Sequence, residues 1–249
     1  MKILITGVAG FIGFHLAQAL IKKKYNVIGV DNINSYYDIS LKQARLDILN
    51  KLAMPFTKLD LSNYGNTRSF FITEKPDFVI NLAAQAGVRN SLIDPHAYVS
   101  NNISGFLNIL EGCKDQKVKH LIFASSSSVY GQNNQSPFNE AQNVDYPKNL
   151  YAVSKKTNEL MAYSYSSLFN ISTTGLRFFT VYGPWGRPDM AYFKFVKNIY
   201  EEVPIDIYGN GKMYRDFTYI DDIVDGILKL INKGPPNPIV NYISNGHKN

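Results

Sequence analysis

GVAGFIG, at residues Gly7–Gly13, joins the apolar run Lys2–Thr6 to the amphipathic run Phe11–Lys22. The first run predicts a buried strand and the second a helix, which gives a strand–turn–helix unit. Three spaced glycines alone would mark only a turn. At a helix N-terminus they also let the backbone approach a pyrophosphate, while unpaired N–H groups supply positive potential. The segment therefore predicts a dinucleotide-binding loop formed by Gly7, Gly10, Phe11, Ile12 and Gly13.

The residues that follow the next predicted strands extend this cofactor site. Asp31 ends the second strand about twenty positions after the loop, where a carboxylate can accept hydrogen bonds from ribose hydroxyls. A carboxylate there repels a 2′-phosphate, so NAD is favoured over NADP. Further predicted cofactor-binding residues are Asn32 after the second strand, Asp60 and Leu61 beside the adenine, and Leu82, Ala83 and Ala84 where the cofactor passes.

Predicted strands alternate with predicted helices as far as Phe178. The strands are Lys2–Thr6, Asn26–Val30, Phe56–Lys58, Phe78–Asn81, His120–Ala124 and Ser172–Phe178. The helices are Phe11–Lys22, Leu41–Lys51, Asn63–Thr73, a long one from Pro95 to about Cys113, and Tyr151–Phe169. Nearly continuous apolar strands between helices are typical of a parallel sheet that is covered on both faces. The predicted fold class is α/β, a Rossmann-type doubly wound parallel sheet.

After Phe178 the regular alternation of strand and helix patterns ends, because prolines and glycines divide the chain into short segments. One further helix, Asp222–Asn232, and one strand, Ile239–Ile243, are predicted there. We therefore expect an NAD-binding Rossmann domain over residues 1–179. Residues 180–249 are expected to form a smaller, partial substrate lobe, with segments that return to the Rossmann domain.

Composition excludes several classes of protein. Of 249 residues, 45% are hydrophobic and 18% charged, so the chain can bury a core instead of remaining disordered. No run reaches the roughly twenty apolar residues of a membrane helix, and residues 1–30 lack a signal-peptide pattern. A single cysteine and four scattered histidines give no metal-ligand spacing. We expect a cytoplasmic protein without metal or membrane partner, whose net charge of +6 fits nucleic acid or a small polyanion.

A second motif combines a tyrosine, a lysine and a serine-rich turn. Tyr151 and Lys155 lie four residues apart on a predicted helix and share one face. A phenol has an ordinary pKa of about 10, so it acts as a base only when nearby positive charge lowers that pKa. The ammonium and a positive nicotinamide ring would do so, and Ser126 could bridge the base to a substrate oxygen. The pair alone arises often by chance, but its place after a dinucleotide loop indicates catalysis.

Three longer stretches carry a family resemblance. They are Leu82–Arg89 (LAAQAGVR), Leu176–Ala191 (LRFFTVYGPWGRPDMA) and Lys212–Asp222 (KMYRDFTYIDD). On these the chain resembles the extended short-chain dehydrogenase/reductases of the NAD-dependent epimerase/dehydratase family. Within that group it is most similar to the UDP-glucuronate 4-epimerases. The resemblance implies NAD as cofactor and a homodimer. It also implies that the net positive charge attracts an anionic UDP-sugar instead of nucleic acid.

The same resemblance implies roles for individual residues. Tyr151 is the base, Lys155 its activator and Ser126 the hydroxyl that binds the sugar O4, and the first two also contact the cofactor. Predicted substrate-binding residues are Arg89, which is followed by Asn90 where the family has tyrosine, and Phe193, Tyr208 and Arg215, which match positions that hold uridine and diphosphate. In this reaction hydride passes from C4 to NAD, the transient 4-keto sugar turns, and hydride returns to its other face.

A glucuronate substrate adds a requirement. After oxidation its carboxylate is β to a ketone, and carbon dioxide is lost when the bond to the carboxylate aligns with the carbonyl π system. Candidates for holding the carboxylate out of that alignment are Ser127, Ser128, Thr180 and Arg187, whose guanidinium can bind a carboxylate in bidentate fashion. Related dehydratases and decarboxylating enzymes place an acid before Val-Tyr-Gly, where this chain has Ser128. The predicted reaction is 4-epimerisation of UDP-glucuronate to UDP-galacturonate without decarboxylation, in supply of a polysaccharide.

Two alternatives remain open from the sequence. A 4-epimerase of UDP-N-acetylglucosamine or UDP-glucose would carry the same motifs. The other is a truncated NAD-binding protein with little activity, because family members continue beyond Ile239–Ile243 and we therefore expect an incomplete substrate lobe. The apolar faces of the predicted helices Pro95–Cys113 and Tyr151–Phe169 fit a four-helix dimer interface. They are explained equally well by packing of these helices on the sheet.

Overall fold

A parallel sheet organises the computed structural model, which describes residues 1–133, 137–234 and 241–244, the last segment and Tyr208 by their backbone only. The strands are β1 (Lys2–Thr6), β2 (Asn26–Asp31), β3 (Phe56–Lys58), β4 (Phe78–Asn81), β5 (His120–Ala124), β6 (Thr173–Arg177), β7 (Thr180–Tyr182), β8 (Phe217–Tyr219) and β9 (Asn241–Ser244). Seven of them pair in the order β3-β2-β1-β4-β5-β6-β9, and β7 pairs with β8. Every pairing is parallel, which confirms the predicted Rossmann-type doubly wound fold.

Helices cover both faces of this sheet. They are α1 (Phe11–Lys22), α2 (Ile39–Lys51), α3 (Tyr64–Glu74), α4 (Asn90–Ile93), α5 (Pro95–Tyr98), α6 (Gly105–Asp115), α7 (Leu150–Phe169), α8 (Ala191–Tyr200) and α9 (Ile220–Lys233). Ile3 and Ile5 of β1 pack in one core with side chains of α1, α2 and α9. Leu4, which points to the opposite face, packs with α3, α6 and α7. The apolar strands are thus buried from both sides.

Segments after Phe178 pack on the large sheet. The strand β9 pairs with β6 in parallel register, from Thr174 opposite Asn241 to Arg177 opposite Ser244. Helix α9 places Ile220, Val224, Ile227 and Ile231 in the same core as α1, along one helical face. The division into two lobes at residue 179 stays a prediction.

Several elements differ from the sequence-based expectation, since α4, β7, α8 and β8 were not predicted and others have different bounds. The predicted helix from Pro95 is interrupted by a π-helical segment, Val99–Ser104, between α5 and α6. The wider turn buries Asn102, whose amide donates to the Gln85 carbonyl and to Ser154 Oγ, each at 3.0 Å. Helix α8 was not predicted, because it follows a stretch rich in proline and glycine and buries none of its residues. The strand predicted at Ile239–Ile243 begins at Asn241, and residues 239 and 240 lie outside the described part.

Within the described ranges, no helix is long and apolar enough to span a bilayer. The same residues contain no group of three or more His, Cys, Asp or Glu side chains that could hold a metal ion. Cys113 is buried and forms no disulfide. Burial raises the pKa of its thiol far above the ordinary value, so Cys113 behaves as an apolar core residue.

Candidate active site

A cavity of about 540 Å³ opens at the carboxyl ends of the strands, beside the loops that follow β1, β4 and β5. The sheet order reverses between β1 and β4, and ligands of doubly wound sheets bind at such a point. The cavity brings together most of the residues predicted from the sequence. These are Gly7, Gly10, Phe11, Ile12, Gly13, Asp31, Asn32, Leu61, Leu82, Ala83, Ala84, Ser126, Ser127, Ser128, Tyr151, Lys155, Thr180, Arg187 and Arg215.

The glycine loop has no room for side chains at Gly7 and Gly13, because its backbone packs closely against neighbouring backbone. Gly7 has a φ of +70°, and a Cβ atom there would lie 2.7 Å from the backbone nitrogen of Ala83. A Cβ atom at Gly13 would collide with the carbonyl oxygen of Gly7. Helix α1 begins behind the loop, and Gly10 has no side chain to cap it, so its first N–H groups are available to an anion. The loop therefore fits the pyrophosphate of NAD.

The carboxylate of Asp31 lies at the end of β2, beside this loop. It accepts hydrogen bonds from the backbone N–H groups of Ala9 at 3.1 Å and Ile33 at 2.8 Å. Burial raises the pKa of Asp31, while these hydrogen bonds and the nearby Lys42 ammonium oppose the rise. Lys42 in turn donates to the side chain of Asn34 at 2.6 Å. This position fits the predicted contact of Asp31 with the cofactor ribose.

A buried arginine that sequence reasoning missed connects the cofactor loop to the substrate side. Arg45 on α2 is fully buried and donates to the Ala9 carbonyl at 2.8 Å and to the Tyr37 hydroxyl at 2.7 Å. Its other terminal nitrogen donates to the carbonyl of Trp185 at 2.6 Å. An arginine on a helix that covers a sheet is expected to face solvent. No local feature of the sequence therefore predicts that Arg45 is buried. Arg45 fixes the segment that contains Arg187 against the glycine loop.

The three predicted catalytic side chains share one wall of the cavity. Tyr151 lies in the first turn of α7, which is capped by Asn149 accepting from the Ala152 N–H at 2.9 Å. Lys155 is buried one turn later, donates to the Ala124 carbonyl at 2.9 Å, and holds its ammonium 5.9 Å from the centre of the Tyr151 ring. Ser126 follows β5 and is buried next to them. The spacing Tyr-x-x-x-Lys has therefore placed phenol, ammonium and hydroxyl around one point.

Burial acts on the protonation of both catalytic groups. It raises the pKa of Tyr151, while the Ser126 hydroxyl and the charge of Arg187 act in the opposite direction. Burial also lowers the pKa of Lys155 to about 8. In the protein alone the phenol is thus protonated at neutral pH, and further positive charge is required to make it a base.

A buried ion pair supports the serine-rich turn. Arg177 donates from Nε and Nη2 to the two carboxylate oxygens of Glu159, each at 2.9 Å, and both side chains are almost fully buried. Ser125 donates to the same carboxylate at 2.6 Å, which holds the residue before Ser126. The sequence contained a signal for Glu159, since it continues the four-residue spacing of Tyr151 and Lys155 on one face of α7.

Arg187, which also lines the cavity, is held by a neighbouring acid. Its Nε donates to Oδ1 of Asp189 at 3.0 Å and its Nη2 to Oδ2 at 2.5 Å. Asp189 Oδ2 also accepts from the Tyr36 hydroxyl at 3.1 Å. Ser127, Ser128 and Thr180 also line the cavity. Sequence reasoning reached Arg187 but missed both of its supporting residues.

Some predicted residues lie elsewhere. Asp60 does not line the cavity and accepts hydrogen bonds from Ser62 instead. Arg89 and Phe193 are exposed and also lie outside the cavity lining, whereas Arg215 reaches it from an exposed position. The side chain of Tyr208 belongs to the part that the structure does not describe. Contacts of these five residues with cofactor or substrate therefore stay predictions.

Comparison with known proteins agrees with this site. A model of the NAD dependent epimerase/dehydratase family matches residues 3–242. The chain therefore belongs to the NAD dependent epimerase/dehydratase family, and NAD is its cofactor. Within that family it is an enzyme of the extended short-chain dehydrogenase/reductase type, as the resemblance implied.

Its relatives include proteins of named activity. The chain is 57% identical to protein CapI of Staphylococcus aureus over 96% of its own length and 71% of that protein. It is 51% identical to a probable UDP-glucuronate 4-epimerase of Rhizobium meliloti over 94% of its length and 69% of that protein. The crystal structure of UDP-glucuronic acid 4-epimerase from Bacillus cereus with UDP-glucuronic acid and NAD matches with a TM-score of 0.90 at 38% identity, covering 100% of this chain and 78% of that one.

Proposed function

We propose that this enzyme is an NAD-dependent UDP-sugar 4-epimerase and that its substrate is UDP-glucuronate. The observation that carries the proposal is the Arg187 guanidinium, which lines the cavity and lies near enough to Tyr151 for its charge to oppose the rise that burial causes in the pKa of the phenol. A cation at the reacting end of the cavity suits a sugar that carries a carboxylate beside C4. Neutral sugars offer it no charge to bind.

The residues of the chain divide the chemistry among them. Tyr151 accepts the proton of the C4 hydroxyl, and Ser126 orients that hydroxyl from the end of β5. Lys155, held by the Ala124 carbonyl, contributes positive charge beside the phenol. When bound on the glycine loop, NAD supplies the hydride acceptor for C4 and a positive ring near Tyr151. The same phenol returns the proton after the 4-keto sugar has turned.

The cavity offers no carboxylate, among the described residues, that could exchange a proton at C5 of the sugar. Among the described residues that line it, Asp31 is the one carboxylate, and it lies at the ribose end beside Ala9. Ser127 and Ser128 occupy the place where an acid of a dehydratase is expected. A cavity with hydroxyls there, and a guanidinium also in its lining, favours oxidation and re-reduction with the carboxylate retained. This supports epimerisation over dehydration or decarboxylation.

Replacement of Arg187 tests the assignment of the substrate. We expect Arg187→Ala to lower kcat/KM for UDP-glucuronate about 100-fold and any residual turnover of UDP-glucose less than about threefold, because only the uronate loses a charged partner. Products are separated and quantified after incubation with each sugar nucleotide. Lys194→Ala, an exposed cation on α8, is the control and should leave both rates unchanged. Equal losses on both substrates would contradict the carboxylate assignment and favour a 4-epimerase of neutral UDP-sugars.

Two further features of the expected protein stay proposals. A homodimer through α6 and α7 is supported by the exposed apolar side chains of Leu107, Leu160 and Leu168 on these helices. The second proposed feature is a cytoplasmic location, because the proposed reaction requires NAD and UDP-sugars, which are found in the cytoplasm.

A further inference from the structure

The pairing of Arg187 with Asp189 raises a question about the proposed substrate. A guanidinium has five N–H donors and two edges that can each receive a carboxylate. Asp189 occupies the edge formed by Nε and Nη2. Nη1 makes no hydrogen bond to the residues that the structure describes, and Arg187 lines the cavity whereas Asp189 does not. The edge that contains Nη1 is therefore the one available to a ligand.

Asp189 is itself held in place. The Tyr36 hydroxyl donates to Oδ2 at 3.1 Å, and that hydroxyl fills the space where a Cβ atom on Gly87 would stand. Burial tends to raise the pKa of Asp189, but Arg187 and Tyr36 outweigh it and hold the pKa below its ordinary value. Burial and the Asp189 charge raise the pKa of Tyr36. The acid is thus ionised and the phenol remains a donor.

We propose that Asp189 is a positioning residue that orients Arg187 so that its free edge holds the substrate carboxylate out of alignment with the C4 ketone, and that Tyr36 fixes Asp189. The inference rests on the proposed function. Attraction by charge alone would not need an acid here, since the ionised Asp189 cancels the charge of the guanidinium and leaves the pair with no net positive charge. An ionised partner on the far edge gives the guanidinium one orientation, and orientation is what decides whether carbon dioxide is lost.

The reaction that Asp189 prevents can be written in full. In the 4-keto sugar the bond between C5 and the carboxylate carbon breaks, and its electron pair enters an enolate across C4 and C5. Carbon dioxide leaves, and a proton adds at C5 to give a UDP-4-ketopentose. No additional oxidant is needed, because the ketone formed in the epimerisation is the electron sink. The ratio of this product to UDP-galacturonate therefore reports how the carboxylate is held.

The test compares Asp189→Asn and Tyr36→Phe with the unmodified enzyme, each incubated with NAD and UDP-glucuronate, and quantifies UDP-galacturonate, UDP-4-ketopentose and carbon dioxide. We expect Asp189→Asn to raise the fraction of decarboxylated product at least about tenfold, and Tyr36→Phe to raise it less, because the ion pair persists there. Turnover of UDP-glucose should change less than about threefold. Asp225→Asn, an exposed acid paired with Lys229 on α9, is the matched control and should leave the fraction unchanged.

Each outcome decides between the two claims. Lower turnover of both sugars with an unchanged product fraction in Asp189→Asn and Tyr36→Phe would show a merely structural role and overturn the inference alone. If Asp189→Asn does not fold, as shown by loss of a cooperative thermal transition, the product fraction of Tyr36→Phe decides. An unmodified enzyme that does not convert UDP-glucuronate would overturn the proposed function and this inference together.

Discussion

Replacement of Tyr151 by phenylalanine should lower kcat for UDP-glucuronate about 1,000-fold. The phenol oxygen is the group that exchanges a proton with the C4 hydroxyl, and general acid–base groups contribute typically 10²–10⁴-fold. The ring is retained, so its packing against Tyr98 persists and the binding of NAD and UDP-glucuronate should change less than about threefold. Turnover is measured by product separation and binding by calorimetric titration.

A matched substitution separates chemistry from a general effect on α7. Tyr163 lies three turns further along the same helix and is exposed, so Tyr163→Phe should retain full activity. If Tyr151→Phe kept more than about a tenth of the original kcat, another group would have to act as the base. The assignment of Tyr151 would then be wrong.

Replacement of Lys155 by methionine should lower kcat about 100-fold and change its dependence on pH. Methionine keeps most of the volume but removes the ammonium beside the Tyr151 ring. Burial lowers the pKa of Lys155 to about 8, so the ammonium is present below pH 8 and is lost as pH rises through that value. The activity that depends on it should therefore fall above about pH 8 in the unmodified enzyme, and this fall should be missing in Lys155→Met.

The neighbouring residue provides the control for this change. Lys156 is only partly buried and pairs with Asp145 at 3.3 Å, away from the phenol. Lys156→Met should keep both the rate and the pH profile. An unchanged pH profile in Lys155→Met, with the fall above pH 8 still present, would show that another group titrates there.

Local patterns predicted those parts of the molecule that depend on neighbours in sequence. The glycine loop at Gly7–Gly13 and the pair Tyr151 and Lys155 follow from spacing along one strand, turn or helix, and the structure places them in one cavity. The parallel sheet followed in the same way, because buried parallel strands are nearly continuous apolar runs. In these elements the local spacing of residue types determines the structure, so it can be predicted from a single sequence.

The supporting residues of the site could not be predicted in this way. Tyr36 and Asp189 are 153 positions apart, and Arg45 and Trp185 are 140 positions apart. Neither pair has a local signal, because its geometry exists only after β2, α2 and the segment beyond β7 have packed together. Helix α8 was missed for a related reason, since it buries no side chain in the described structure and follows a stretch of prolines and glycines.

The residues that distinguish one sugar from another form an intermediate case. Thr180 and Arg187 were reached through resemblance, and the structure places both in the cavity wall. Their effect depends on orientation, which Asp189 imposes on Arg187 through two hydrogen bonds. Arg187 could therefore be predicted from the sequence, whereas Asp189, which orients it, could not.

The most direct test of the central claim is to incubate the purified chain with NAD and UDP-glucuronate and identify the products by NMR. We expect UDP-galacturonate to form until an equilibrium mixture is reached, with the carboxylate retained and little or no conversion of UDP-glucose or UDP-N-acetylglucosamine under the same conditions. Conversion of a neutral UDP-sugar in preference to UDP-glucuronate, or formation of a UDP-4-ketopentose as the main product, would contradict it.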